Sequence, residues 1–127
     1  MIRYSLLILF LLQLGSALGQ DSLKYITSEQ RKIDVKVNEP FIIKLRACHS
    51  CGYHWTLEQF DTLNVKLISV TSKNTSWRIH QDGGDVFEFW KFIGVNVGKY
   101  NLEFIMKGPA REYKVGGRCN FELWVNL

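Results

Sequence analysis

The run Ile33-Asp34-Val35-Lys36-Val37-Asn38-Glu39-Pro40-Phe41-Ile42-Ile43-Lys44-Leu45-Arg46 reads as two β-strands either side of a turn. Ile33, Val35 and Val37 alternate with Asp34, Lys36 and Asn38; past Asn38, Glu39 and Pro40, the residues Phe41, Ile43 and Leu45 alternate with Ile42, Lys44 and Arg46. A strand turns successive side chains to opposite faces, so a period of two marks one buried and one wet face. The short turn between the runs predicts a hairpin.

The same signal continues along the chain. Strands are predicted over 53–57, 65–71, 86–93, 100–107 and 120–125, filled with the aromatic and β-branched residues that suit a pleated, half-buried surface. Phe121, Leu123 and Val125 share a face of the last. Glycines punctuate the runs at Gly52, Gly83 and Gly84, Gly94 and Gly98, Gly108 beside Pro109, and Gly116 with Gly117. No amphipathic helix, internal repeat or low-complexity stretch is evident. About seven or eight short strands parted by glycine turns imply an all-β protein, an immunoglobulin-like β-sandwich or a small barrel.

The N-terminus has a different character. Arg3 precedes an apolar run over 6–12, followed by Gly15, Ser16, Ala17, Leu18 and Gly19. A basic start, a short apolar stretch and small residues before the cut make 1–19 a secretory signal peptide. The run is too short to cross a bilayer core of about 30 Å, so no membrane association is expected. The rest, 20–127, suffices for one domain. The expected location is outside the cell or within the secretory and endolysosomal pathway.

The formal net charge of +4 is spread along the strands without a run of Lys or Arg. A nucleic-acid surface usually gathers its basic residues on one face, so no such partner is expected. No catalytic constellation is legible, and the chain reads as a non-enzyme without cofactor or metal. The three histidines, His49, His54 and His80, accompany no recognisable nucleophile motif. Cys48, His49, Cys51, His54 and Cys119 could be imagined around zinc, but a second closely spaced ligand pair is missing. Cys48 and Cys51 have the C-x-x-C spacing of a redox pair, which ordinarily sits at a helix N-terminus; here strands flank it on both sides.

Three cysteines in an oxidising compartment leave at least one thiol unpaired or shared between molecules. The stretch Ala47-Cys48-His49-Ser50-Cys51-Gly52-Tyr53-His54-Trp55 interrupts two strands with small, weakly polar residues and resumes with aromatics. Gly52 permits a turn or a close approach to another surface. Tyr53 and Trp55 share a face, and Trp55 is expected to anchor the core.

A Gly-aromatic-x-Trp unit directly after a strand, a Gly-Gly turn before an aromatic strand, and a glycine-led strand ending in a proline-containing turn resemble the chagasin family in order and spacing. The resemblance covers the chain from about Ile33 to its end. It implies an immunoglobulin-like sandwich whose three loops at one end fill the active-site cleft of papain-like cysteine proteases. Cys48, His49, Ser50, Cys51, Gly52 and Tyr53 fall on the family's first-loop motif NPTTGY, with Gly52 and Tyr53 identical. Gln81, Asp82, Gly83 and Gly84 fall on the second, GxGG, and keep its paired glycines. In the third, RPW, Pro109 is kept, with Lys107 and Gly108 before it and Ala110 after it; Tyr113 could replace the missing aromatic.

On that topology Cys119 opens the last strand at the same end as the first loop. A Cys48–Cys119 bridge would then tie two loops together, contributing about 4 kcal/mol in the chain-entropy model. Cys51–Cys119 and a tight Cys48–Cys51 ring remain open alternatives. Asn74-Thr75-Ser76 is a glycosylation acceptor expected on a loop away from the binding end. The resemblance implies a monomeric inhibitor with a papain-like cysteine protease as partner. The altered loops leave a second reading: a non-inhibitory sandwich that uses them to bind another protein.

Overall fold

The structure, a computed structural model, describes residues 23–74, 86–108 and 117–127. The signal peptide expected over 1–19 lies outside these residues. Eight strands follow in chain order: β1 (Lys24–Thr27), β2 (Lys32–Lys36), β3 (Pro40–Ala47), β4 (His54–Leu57), β5 (Val65–Asn74), β6 (Val86–Gly94), β7 (Gly98–Lys107) and β8 (Gly117–Asn126). They form two four-stranded sheets, β1-β3-β6-β5 and β2-β8-β7-β4. Among the described residues there is no helix long and apolar enough to cross a membrane. The all-β protein expected from the alternation is what the chain forms, and of the two architectures left open it is the sandwich.

The alternation fixes which side chains enter the core. Ile33 and Val35 of β2, Phe41, Ile43 and Leu45 of β3, and Cys119, Phe121, Leu123 and Val125 of β8 are all buried. Aromatic rings bind the sheets together. Phe92 of β6 meets Phe104 of β7 edge-on at 6.2 Å and Trp90 meets the same ring at 5.1 Å, across the layers, while Phe104 meets Phe121 within its own sheet at 5.8 Å. Edge-to-face pairs of this kind add about 0.5–1.5 kcal/mol each to the gain from burial.

The hairpin predicted for 33–45 does not form. β2 pairs in parallel with β8, from Lys32 opposite Glu122 to Lys36 opposite Asn126, whereas β3 pairs antiparallel with β6 in the other sheet. The connection carries the chain between layers. Asn38 adopts φ 63°, the left-handed region that asparagine tolerates better than most residues. The Val37 amide donates to Asn126 of one sheet at 2.7 Å, and the Asn38 amide to Gly94 of the other at 2.8 Å. Each strand still buries its apolar face, but against the opposite layer.

The strand ends locate the loops. Val86 opens β6 opposite both Ala47, which ends β3, and Asn74, which ends β5. In the second sheet His54, which opens β4, faces Lys107, which ends β7, and Met106 faces Gly117. The β3–β4 connection therefore leaves the same end of the sandwich as residues 74, 86, 108 and 117, the flanks of the other two connections.

Candidate functional site

The β3–β4 connection is a closed turn. Cys48 and Tyr53 face each other as an isolated antiparallel bridge, with the Tyr53 amide donating to Cys48 O at 2.9 Å. Inside it the Gly52 amide donates to His49 O at 3.0 Å. Gly52 has φ 84°, which side chains with a Cβ rarely adopt. Ser50 Oγ stands 3.6 Å from Cys48 Sγ, and Ser50, Cys51 and Gly52 are exposed at the tip.

A disulfide joins Cys48 to Cys51, across a Cα–Cα distance of 5.2 Å. This corrects the Cys48–Cys119 pairing. Cys119 shares the inward phase of Phe121 and Leu123, so its side chain is committed to the core, while the turn brings Cys51 back to Cys48 within ordinary disulfide reach. Cys119 is a free, buried thiol with Arg31 Nη1 3.9 Å away. Burial pushes its pKa up, opposed in part by the Arg31 charge. The zinc arrangement does not assemble, because two of its thiols are bonded to each other and the third lies inside the sandwich.

Both flanks of the turn are fastened to the scaffold. Trp55 packs on the core and donates Nε1–H to the Arg46 carbonyl at 2.8 Å, joining the end of β3 to the start of β4. Its indole also stands beside Gly117, where an added Cβ would lie 3.7 Å from Cη2. Trp55 is thus a partly buried anchor at the edge of the core. Tyr53, half-buried, lies against Gly108 of the third connection.

The sequence did not point to Glu88. It is 3% exposed, on the inward face of β6 between Val86 and Trp90. Oε2 accepts the Trp55 amide at 3.1 Å and is 3.0 Å from His49 Nε2; Oε1 accepts Trp90 Nε1–H at 3.1 Å. A buried carboxylate needs such donors to offset lost hydration. The visible signal was its phase: a charge at an inward position of an otherwise apolar alternation.

The remaining expected site residues divide in two. Lys107 is exposed at the end of β7 opposite His54, and Gly108 follows it. Gln81, Asp82, Gly83, Gly84, Pro109, Ala110 and Tyr113 lie outside the described residues. Asn74, expected on a loop away from the binding end, is the exposed last residue of β5, in the row of Val86 and Ala47 at that end.

A model of the chagasin family of peptidase inhibitors, family I42, matches residues 34–124. The chain belongs to this family. Its members are protease inhibitors, not enzymes. Solved structures share the fold at low identity. The cysteine protease inhibitor EhICP2 from Entamoeba histolytica superposes with a TM-score of 0.70 at 17% identity, covering 82% of this chain and 96% of its own. Amebosin, solved in solution, gives 0.54 at 18%, covering 83% and 97%. PbICP-C in complex with falcipain-2 gives 0.51 at 19%, covering 83% and 88%. No curated protein matches the chain in sequence.

Proposed function

We propose that this chagasin-family protein inhibits papain-like cysteine proteases by filling their active-site cleft with the loop end of the sandwich, the 48–53 turn leading. The observation that carries this reading is the preset form of that turn: a disulfide, a backbone bridge and a left-handed glycine close it before any partner arrives. A wedge needs no reactive group. It needs a narrow, rigid tip, so that binding costs little ordering entropy. Exclusion of substrate then follows from occupancy.

The family resemblance assigns the second contact to Asp82, Gly83 and Gly84 and the third to Lys107, Gly108, Pro109 and Ala110; of these, Lys107 and Gly108 are described, at the same end of the sandwich as the turn. The N-terminal segment and the disulfide support action outside the cell or along the secretory and endolysosomal route; the reading takes the inhibitor as a monomer, as the family resemblance implies.

Titration of papain and a cathepsin L-type enzyme with the purified, disulfide-bonded protein tests the proposal. Saturable inhibition is expected, and loss of it in Gly52→Glu, which places a charged side chain on the tip and strains φ 84°. A folded wild-type protein that leaves both enzymes active would turn the reading to a binding module for another protein.

A further inference from the structure

Glu88 is the sole charged side chain in the buried set of the described residues. An apolar residue would fill an inward position of β6 without the desolvation a carboxylate suffers there. Its partners suggest what the carboxylate does. Trp90 lies on the same strand, but His49 belongs to the 48–53 turn and the Trp55 amide to β4 of the opposite sheet. One carboxyl group therefore fastens both the turn and the strand that leaves it to β6. The Trp55 indole, by contrast, hydrogen-bonds back to Arg46 on the preceding strand.

We infer that Glu88 is the positioning residue of the inhibitory turn, holding 48–53 in its binding form from beneath. The inference rests on the proposed inhibition for its functional half. At 3% exposure Glu88 is out of reach of a partner, so any effect on binding passes through His49 and Trp55. A merely structural role would lower the melting temperature and leave the affinity of the folded molecules unchanged. A positioning role changes affinity at temperatures where every variant is fully folded.

The test uses Glu88→Leu, Glu88→Gln and His49→Ala in the disulfide-bonded chain. Amide hydrogen exchange of the free protein is read first. In Glu88→Leu the amides of 49–55 should exchange at least tenfold faster, while those of β7 and β8 keep their wild-type rates. Inhibition of papain is read second: the inhibition constant should rise at least tenfold in Glu88→Leu. It should rise less in Glu88→Gln, which keeps an acceptor for the Trp55 amide. His49→Ala leaves the carboxylate its two other donors; because His49 itself lies in the binding turn, this variant is read by exchange alone, with 49–55 faster and the melting temperature little changed, and if Glu88→Leu fails to fold, Glu88→Gln carries the inhibition comparison. Wild-type exchange over 49–55 in folded variants would overturn the inference, as would faster exchange with unchanged inhibition. Should the wild-type protein not inhibit papain at all, the proposed function fails, and the exchange rates alone decide whether Glu88 holds the turn.

Discussion

A β-carbon on Gly108 would stand 2.7 Å from Cε1 of Tyr53, inside any normal contact. Gly108, where the third connection leaves β7, is therefore packed against the first connection, with the ring of Tyr53 lying where a side chain at 108 would begin. Gly108→Ala must push the ring aside. Overpacking of this kind costs about 1–3 kcal/mol where nothing yields, and less where a half-exposed ring can move. The expected outcome is a small drop in melting temperature with an inhibition constant raised at least tenfold, read by papain titration beside a thermal melt. Unchanged inhibition would mean that Tyr53 takes no part in binding.

Gly94 supplies the opposite case. It ends β6 at the far end of the sandwich, and a Cβ there would lie 2.5 Å from Cγ2 of Val125, which is itself buried. Val125 is enclosed in the core, not the end of a flexible surface chain. Gly94→Ala should cost about 1–3 kcal/mol in chemical denaturation. Below its melting range it should inhibit as the wild type does. A parallel loss of inhibition would show that the two ends of the domain are not independent.

The sequence carried the phase of each strand well and its partner poorly. Ile33, Val35, Phe121 and Leu123 were legible as buried because alternation is a local property. That β2 and β3 enter different sheets was not, because the turn at Asn38 fits a crossover as well as a hairpin. β1 was missed, since a four-residue strand with only Ile26 fully buried has no period to show. The Cys48–Cys51 bond could not be ranked from spacing alone; it depends on the Cys48–Tyr53 bridge, which only the fold creates. Glu88 showed only as a charge at an inward position; its role was not legible, because His49 and the Trp55 amide lie far from it in the chain.

Acid should weaken the outer face of the β2-β8-β7-β4 sheet. Glu122 lies 2.7 Å from Lys99 Nζ and accepts Trp124 Nε1–H at 2.8 Å, while Lys32 and Lys99 both stand over the Trp124 ring. The hydrogen bond from Lys99 holds the Glu122 carboxyl below its ordinary value of 4.5, with the Lys99 and Lys32 charges adding to it. A lowered folded-state pKa stabilises the fold above that ordinary value, and the contribution is lost as pH falls through the lowered one. The group is exposed, so the effect is small and salt-sensitive. Melts from pH 7 downward should show Glu122→Gln slightly less stable at neutral pH, the gap closing below 4.5. A gap that widened in acid would contradict the assignment.

The disulfide makes a prediction in which stability and function part company. In the chain-entropy model so short a closure contributes about 2 kcal/mol, against about 4 kcal/mol for a bridge from Cys48 to Cys119. Its main effect is local, on a turn whose backbone bonds are few and whose tip is exposed. Cys48→Ser/Cys51→Ser should therefore lower stability by no more than about 2 kcal/mol and raise the inhibition constant at least tenfold. The pairing itself is checked by counting thiols. The native, non-reduced protein should react slowly with a thiol reagent, because Cys119 is 4% exposed and burial raises its pKa. Unfolding without reductant should release one thiol per chain, and peptide mapping should place it at Cys119. A labelled Cys48 or Cys51 would break the argument for a covalently preset turn. Wild-type inhibition by the double serine variant would leave the pairing standing and assign the turn's rigidity to the Tyr53 bridge and the Glu88 network.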